Sequence, residues 1–180
     1  TLVNPNKSIQ NLTGIPVSEI TDIVCEDKLF LSGSCQSLFY ASAATNLDVS
    51  NLDTSNVTDM SYMFDKSDST SLDLSSFDTS SVTNMAFMFY SSAAASIDVS
   101  NFDTSSVTNM YCMFRYCDVA TSIDVSNFNT SNVTNMGSMF SYTSAVTGLD
   151  VSEFDTSKVT NMNGMFQSSA ATSIDVSGSN

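Results

Sequence analysis

Apolar and polar residues recur along this chain in a fixed order. The alternation Leu/Ile-Asp-Val/Leu-Ser opens at Leu47, Leu72, Ile97, Ile123 and Leu149. Each opening runs into a longer copy: LDVSNLDTSNVTDMSYMF, LDLSSFDTSSVTNMAFMF, IDVSNFDTSSVTNMYCMF, IDVSNFNTSNVTNMGSMF and LDVSEFDTSKVTNMNGMF. The spacing is 25 or 26 residues, and a truncated sixth copy, IDVSGSN, opens at Ile174. Upstream, SLFYASAATN over 37–46 matches the tail of a copy. A period of this size marks a repeat architecture, in which no unit buries its own apolar row. Residues 1–46 therefore read as an N-terminal cap with a partial first repeat. Residues 47–180 read as five repeats plus the truncated sixth.

Within the first copy the apolar positions are Leu47, Val49, Leu52, Val57, Met60, Met63 and Phe64. Leu47 and Val49 alternate with Asp48 and Ser50, the period of a short strand with one buried face. Asn51 to Asn56 is polar and turn-prone. Val57, Met60, Met63 and Phe64 then follow i, i+3, i+6, i+7 spacing, which predicts an extended or 3₁₀ segment entering a helical turn. Seven inward side chains per repeat, each worth roughly 1.5–3 kcal/mol when fully buried, can sustain a core once the units stack. The fold expected is mainly β with short helical turns: a right-handed β-solenoid of about five to six coils. Its C-terminal coil reads as open, suited to a longer array or to self-association with another chain.

Composition narrows the function. There is no His, which removes Ser-His-Asp and Cys-His catalysis and His-ligated metal. Acidic residues outnumber basic ones 19 to 5, giving a formal charge of −14. Nucleic acid, whose phosphates need Lys and Arg, is disfavoured as a partner, and so are anionic membrane surfaces. No apolar stretch approaches the roughly 20 residues of a membrane-spanning helix, so no membrane insertion is expected.

Stacking converts each repeated position into a row. Asp48, Asp73, Asp98, Asp124 and Asp150 should point outward as a ladder of like charge. Such a ladder suits a divalent cation, calcium above all, or a basic partner. The other reading is that each carboxylate accepts hydrogen bonds from serine hydroxyls or from backbone of the next coil. In the row Asp53, Asp78, Asp103, Asn129 and Asp155, Asn replaces Asp without disturbing the repeat, which marks a turn-capping acceptor. Two hydroxyl rows, Thr54, Thr79, Thr104, Thr130, Thr156 and Thr58, Thr83, Thr108, Thr134, Thr160, offer a face for ice or for a polysaccharide. Alternatively their hydroxyls satisfy local backbone. Tyr62, Tyr90, Tyr111, Tyr116 and Tyr142 fall at variable positions and read as scattered platforms for sugar stacking. Sequons stand at Asn6, Asn11, Asn56, Asn129 and Asn132.

The four cysteines form two sequence-local pairs, Cys25 with Cys35 and Cys112 with Cys117, which fits two local disulfides and an oxidising compartment. Buried free thiols are the alternative. Connectivity among four cysteines is not fixed by sequence.

The repeat LDVSxFDTSxVTNMxxMF resembles that of the BspA-like leucine-rich-repeat surface proteins, over residues 37–180. The resemblance implies a leucine-rich-repeat-like solenoid and a cell-surface or secreted location. It also implies a non-enzymatic role in adhesion or surface interaction, with a glycan or protein ligand. Two departures stand out: only Cys117 fills the family's Cys position after MF, and the loop is Ala-rich where Leu is usual. A self-stacking filament subunit and an ice-binding protein using a Thr/Ser face are the other expectations.

Overall fold

The computed structural model describes residues 15–175. The start of the expected cap, the sequon residues Asn6 and Asn11 and the tail of the sixth copy lie outside the described residues. A 3₁₀ turn, Val17–Glu19, precedes β1 (Asp22–Val24) and β2 (Leu29–Ser34). β1 pairs in parallel with β3 (Asn46–Asp48), and β2 with β4 (Leu52–Asp59). Residues 22–34 therefore lie alongside the strands of the first full repeat. β5 (Gly148–Asp150) pairs in parallel with β6 (Ser173–Asp175). Between these, isolated parallel bridges join Leu72 to Ile97 and Ile97 to Ile123. Others run from Asp59 through Asn84, Asn109 and Asn135 to Asn161.

This corrects the expected right-handed, leucine-rich-repeat-like β-solenoid with short helical turns. Among the described residues the strands form three separate two-stranded sheets, no continuous sheet runs through the array, and there is no α-helix. Two features of the residues explain the difference. First, the aspartate in each opening alternation ends its own strand. Asp48 Oδ1 accepts the Ser50 N–H at 3.0 Å and the Ser50 hydroxyl at 2.6 Å, an Asx turn two residues on. Second, the segment expected to be helical carries two left-handed residues per repeat, four apart. They are Tyr62 and Lys66 (φ 57° and 56°), Phe87 and Ser91, Cys112 and Tyr116, and Ser138 and Tyr142. A left-handed non-glycine residue costs about 1–2 kcal/mol and cannot continue an α-helix.

That cost is offset by a regular division of backbone donors. The N–H groups of Met60, Tyr62, Phe64 and Lys66 reach across to the carbonyls of Asn84, Ala86, Met88 and Tyr90, at 2.8–3.0 Å. The intervening N–H groups of Met63, Asp65 and Ser67 bond locally to Met60, Tyr62 and Phe64. The same alternation recurs at Met85, Phe87, Phe89 and Ser91. Consecutive donors thus serve two purposes, one closing the turn and the next tying it to the following repeat.

Beneath this segment lies one apolar core. Met60, Met63, Met85, Met88, Met110, Met113, Met136 and Met139 are fully buried. Phe39, Phe64, Phe89, Phe114, Phe140 and Phe166 stack ring upon ring, with centroids 5.5–5.9 Å apart and planes within 12° of parallel. Ser42, Ser67 and Ser92, each accepting an N–H two residues on, turn the chain after the phenylalanine.

Candidate functional site

The first hydroxyl row points into the molecule. Thr54, Thr79, Thr104 and Thr130 are buried. Each donates its hydroxyl to a carbonyl of the following repeat, those of Asp78, Asp103, Asn129 and Asp155, at 2.9–3.1 Å. Thr54 Oγ1 also accepts the Asp78 N–H at 2.9 Å. Thr156 is half-buried. The second row, Thr58, Thr83, Thr108, Thr134 and Thr160, is exposed, but its hydroxyl hydrogens are committed. They go to the carbonyls of Gly33, Thr58, Thr83, Thr108 and Thr134 respectively. The expectation of a free Thr face for ligand is thereby corrected: one row is core and the other is spent on joining repeats.

The acidic rows are turn acceptors. Asp48, Asp73, Asp98, Asp124 and Asp150 each accept the N–H of the serine two residues on. Hydrogen bonds from serine hydroxyl and backbone hold the carboxyls of Asp48, Asp73, Asp98 and Asp150 below the usual range, and neighbouring carboxylates oppose this weakly at Asp48 and Asp73. Among the described residues no three His, Cys, Asp or Glu side chains gather to hold a metal ion. Each carboxylate turns one oxygen back on its own repeat, the arrangement in which serine and backbone groups satisfy it. Asp53, Asp78, Asp103, Asn129 and Asp155 form the turns that Asn129 implied. Lys28 Nζ lies 2.9 Å from Asp53, whose carboxyl is lowered to about 2, chiefly by the Ser55 hydroxyl and then by Lys28.

Cys25, Cys35, Cys112 and Cys117 are free thiols, so the two local disulfides are corrected as well. Cys35, Cys112 and Cys117 are buried as small apolar side chains. The Cys117 thiol donates to the Phe89 carbonyl at 3.0 Å, and burial pushes it up to about 12. Burial does the same to Cys35.

The tyrosines behave differently. Far from scattered, all six in the chain stand on the turn segment of a repeat, five of them after a methionine and Tyr40 in the corresponding segment of the partial first repeat. Tyr62 stacks on Phe87 at 4.5 Å, and Phe87 meets Tyr111 edge-on at 5.2 Å and Tyr90 at 5.5 Å. Tyr90 meets Tyr116 edge-on at 5.4 Å, and Tyr116 stacks on Tyr142 at 4.7 Å. Tyr40 joins through Lys66, whose ammonium lies 3.4 Å from the Tyr40 hydroxyl and 5.6 Å from its ring centre. Gly137 makes room at one edge. A Cβ there would lie 3.1 Å from the Tyr111 ring and 2.6 Å from Asn161 Nδ2.

Two cations sit on this face. The Arg115 guanidinium lies 4.9 Å from the Tyr116 ring centre and 5.6 Å from that of Tyr142. Its nitrogens contact Tyr116 Oη at 3.4 Å and Cys112 Sγ at 3.9 Å, while Nε is buried without a partner. Next to Lys66 in the chain is Asp65, a carboxylate 4% exposed whose Oδ1 has no hydrogen-bond partner. Burial raises it to about 6, although Lys66 pulls the other way. Burial also raises the Tyr90 phenol, which feels the charges of both Arg115 and Asp65. Sequence reading places only the tyrosines, as scattered platforms at variable positions. What it lacked was the alignment of positions 62, 87 and 111 with 66, 90, 116 and 142 along one face.

A family profile described as Mycoplasma protein of unknown function, DUF285, matches residues 33–124 and again 98–180. No curated protein and no solved structure matches the chain. With most of its length covered by that profile, the chain belongs to this family of proteins of unknown function, a BspA-related repeat family.

Proposed function

We propose that the protein is a non-enzymatic surface protein, extracellular or held at the cell surface, that mediates adhesion through its tyrosine face. The observation that carries this reading is the segregation of all six tyrosines and Phe87 onto one surface of an otherwise Asp-, Ser- and Thr-coated array. The repeated rows are occupied with building the scaffold, and the variable positions collect the aromatic groups. Aromatic side chains supply contact area at low cost in conformational freedom, which is what a binding surface requires. The repeat itself, closest in form to LDLSxFDTSxVTxMxxMF, supports placing the chain in the surface-protein branch of its family. A glycan is the favoured ligand, since half-buried tyrosines offer both rings and hydroxyls to a sugar.

Ice binding is the weaker reading, because all but Thr156 in the two Thr rows commit their hydroxyl hydrogens to backbone carbonyls. Self-stacking competes and would show as fibres in the electron microscope without added ligand. The direct test compares the wild type with a Y90S/Y116S variant on a panel of immobilised glycans and extracellular matrix proteins. Binding to a glycan that falls at least tenfold in the variant, with circular dichroism showing it still folded, is expected. Binding only to proteins would replace the glycan reading, and binding untouched by the substitutions would overturn the role of this face.

A further inference from the structure

The tyrosine face gathers two of the chain's few cations, Lys66 and Arg115, with the buried Asp65 as the carboxylate that acts on it. The chain carries 19 acidic residues and 5 basic ones, yet among the described residues the one ion pair joins Lys28 to Asp53. Lys66 and Arg115, two of those five cations, pair with no carboxylate and lie among tyrosines instead. In so acidic a protein an Arg without a carboxylate partner is conspicuous. The contacts of Arg115 are long for hydrogen bonds: 3.4 Å to a phenol and 3.9 Å to a sulfur. A guanidinium has five N–H donors in a planar fork that matches a carboxylate. Here that fork is packed against Tyr116 and Tyr142, so it is positioned without being satisfied.

A positively charged ligand would meet Lys66 and Arg115 as like charges. A neutral apolar ligand would cover the guanidinium and strand its donors, which costs about 1–3 kcal/mol for a buried unsatisfied polar group and more for a charged one. An anion carried on a body that can lie against aromatic rings meets neither penalty. The adjoining array shows what such a body should be. Beside Arg115 stand the rings and phenol hydroxyls of Tyr90, Tyr116 and Tyr142, groups that stack on a sugar and exchange hydrogen bonds with its alcohols.

We infer that the tyrosine face binds an acidic saccharide, with the sugar carboxylate on Arg115, assisted by Lys66, and the ring against Tyr90, Tyr116 and Tyr142. This rests on the adhesion reading above and names its ligand class. The net charge of −14 repels any anion at long range, so affinity is measured near 0.15 M salt, where the screening length is about 8 Å.

The chain has no Trp, and its six Tyr all lie on this face, so tyrosine fluorescence reports the face alone. The protein is titrated with trigalacturonate and its methyl ester, and with 3′-sialyllactose and lactose. At least one carboxylated sugar is expected to bind tenfold or more tightly than its neutral counterpart. R115Q should abolish that preference in a protein that circular dichroism shows still folded, and R115K should restore only part of it. Equal binding of the neutral sugars, or a preference that survives R115Q, overturns the role of Arg115 and leaves the tyrosine face standing. If no sugar binds while Y90S/Y116S still abolishes attachment to a matrix protein, the saccharide inference falls and adhesion survives. If tyrosine substitution affects no binding at all, both fall.

Discussion

Tyr116 lies over Tyr142 with ring centres 4.7 Å apart and planes 22° from parallel. They are the second left-handed residues of consecutive repeats, with φ of 61° and 59°. The same backbone turn thus delivers both rings to one place, and Arg115 completes the stack. An exposed cation–π contact is worth about 0.5–1 kcal/mol. A double-mutant cycle of R115M and Y142L, read by urea unfolding, should give a coupling of about that size. A coupling of zero would mean that the two side chains are neighbours without interaction.

The phenylalanine stack is the central column of the core. Removing a buried ring costs about 3–5 kcal/mol where the site does not collapse. Phe114, fully buried with Phe89 and Phe140 at 5.6 Å on either side, should lose that much as F114A. Phe166, only partly buried, should lose clearly less as F166A. Equal losses at both positions would contradict a core transmitted from repeat to repeat.

The two threonine rows should separate under the same substitution. T54V removes the side-chain partner of both the N–H and the carbonyl of Asp78 at a part-buried position, so a loss of about 1–3 kcal/mol is expected. T108V on the exposed row loses one hydrogen bond to a carbonyl that still accepts the Thr108 N–H, so a loss of about 1 kcal/mol or less is expected. Chemical denaturation of the two variants distinguishes a structural hydroxyl from a peripheral one.

Acid should act in two opposite steps. Asp65, raised to about 6 by burial against an ordinary value of 3.8, binds its proton more readily folded than unfolded. Stability therefore rises as pH falls from about 6 towards about 4. The turn aspartates Asp48, Asp73, Asp98, Asp103, Asp150 and Asp155 are lowered by their serine hydrogen bonds. Asp53 is lowered to about 2. Their contribution is complete above about 4 and is lost as they protonate below it. The melting temperature should peak between pH 4 and 5. D65N should melt higher than the wild type at pH 7, with the difference closing by about pH 4; a constant difference would exclude Asp65 as the source.

G137A should be costly despite its small size, because a methyl group there meets Asn161 Nδ2 and the Tyr111 ring. Loss of stability with a changed near-ultraviolet tyrosine circular dichroism signal is expected. An unchanged tyrosine signal would show that Tyr111 does not rest on that glycine.

The sequence was legible wherever a residue recurs. The register of the repeats, the burial of Met60, Met63 and Phe64 and the turn role of Asp53 all follow from identical positions in successive copies. Strand length and turn type were not, because both depend on local competition. The Asp48 side chain captures its own strand end, and Tyr62 and Lys66 adopt left-handed backbone that no apolar spacing reveals. The tyrosine face was invisible for a related reason. Tyr62, Tyr90 and Tyr116 occupy different offsets within their repeats, and only the turn geometry brings those offsets onto one surface. The thiols were misread because closeness in sequence, as between Cys112 and Cys117, says nothing about where each points.

The claim that ligand lies on this face is tested most directly by nuclear magnetic resonance of protein labelled with ¹³C at the tyrosine ring positions. On titration with trigalacturonate and 3′-sialyllactose, the Tyr90, Tyr116 and Tyr142 signals should shift together along one binding curve, with the Tyr40 signal moving least. R115Q should remove the shifts. Tyrosine signals that stay fixed with both sugars at millimolar concentration, while signals of the Asp48 or Thr58 rows move, would contradict it.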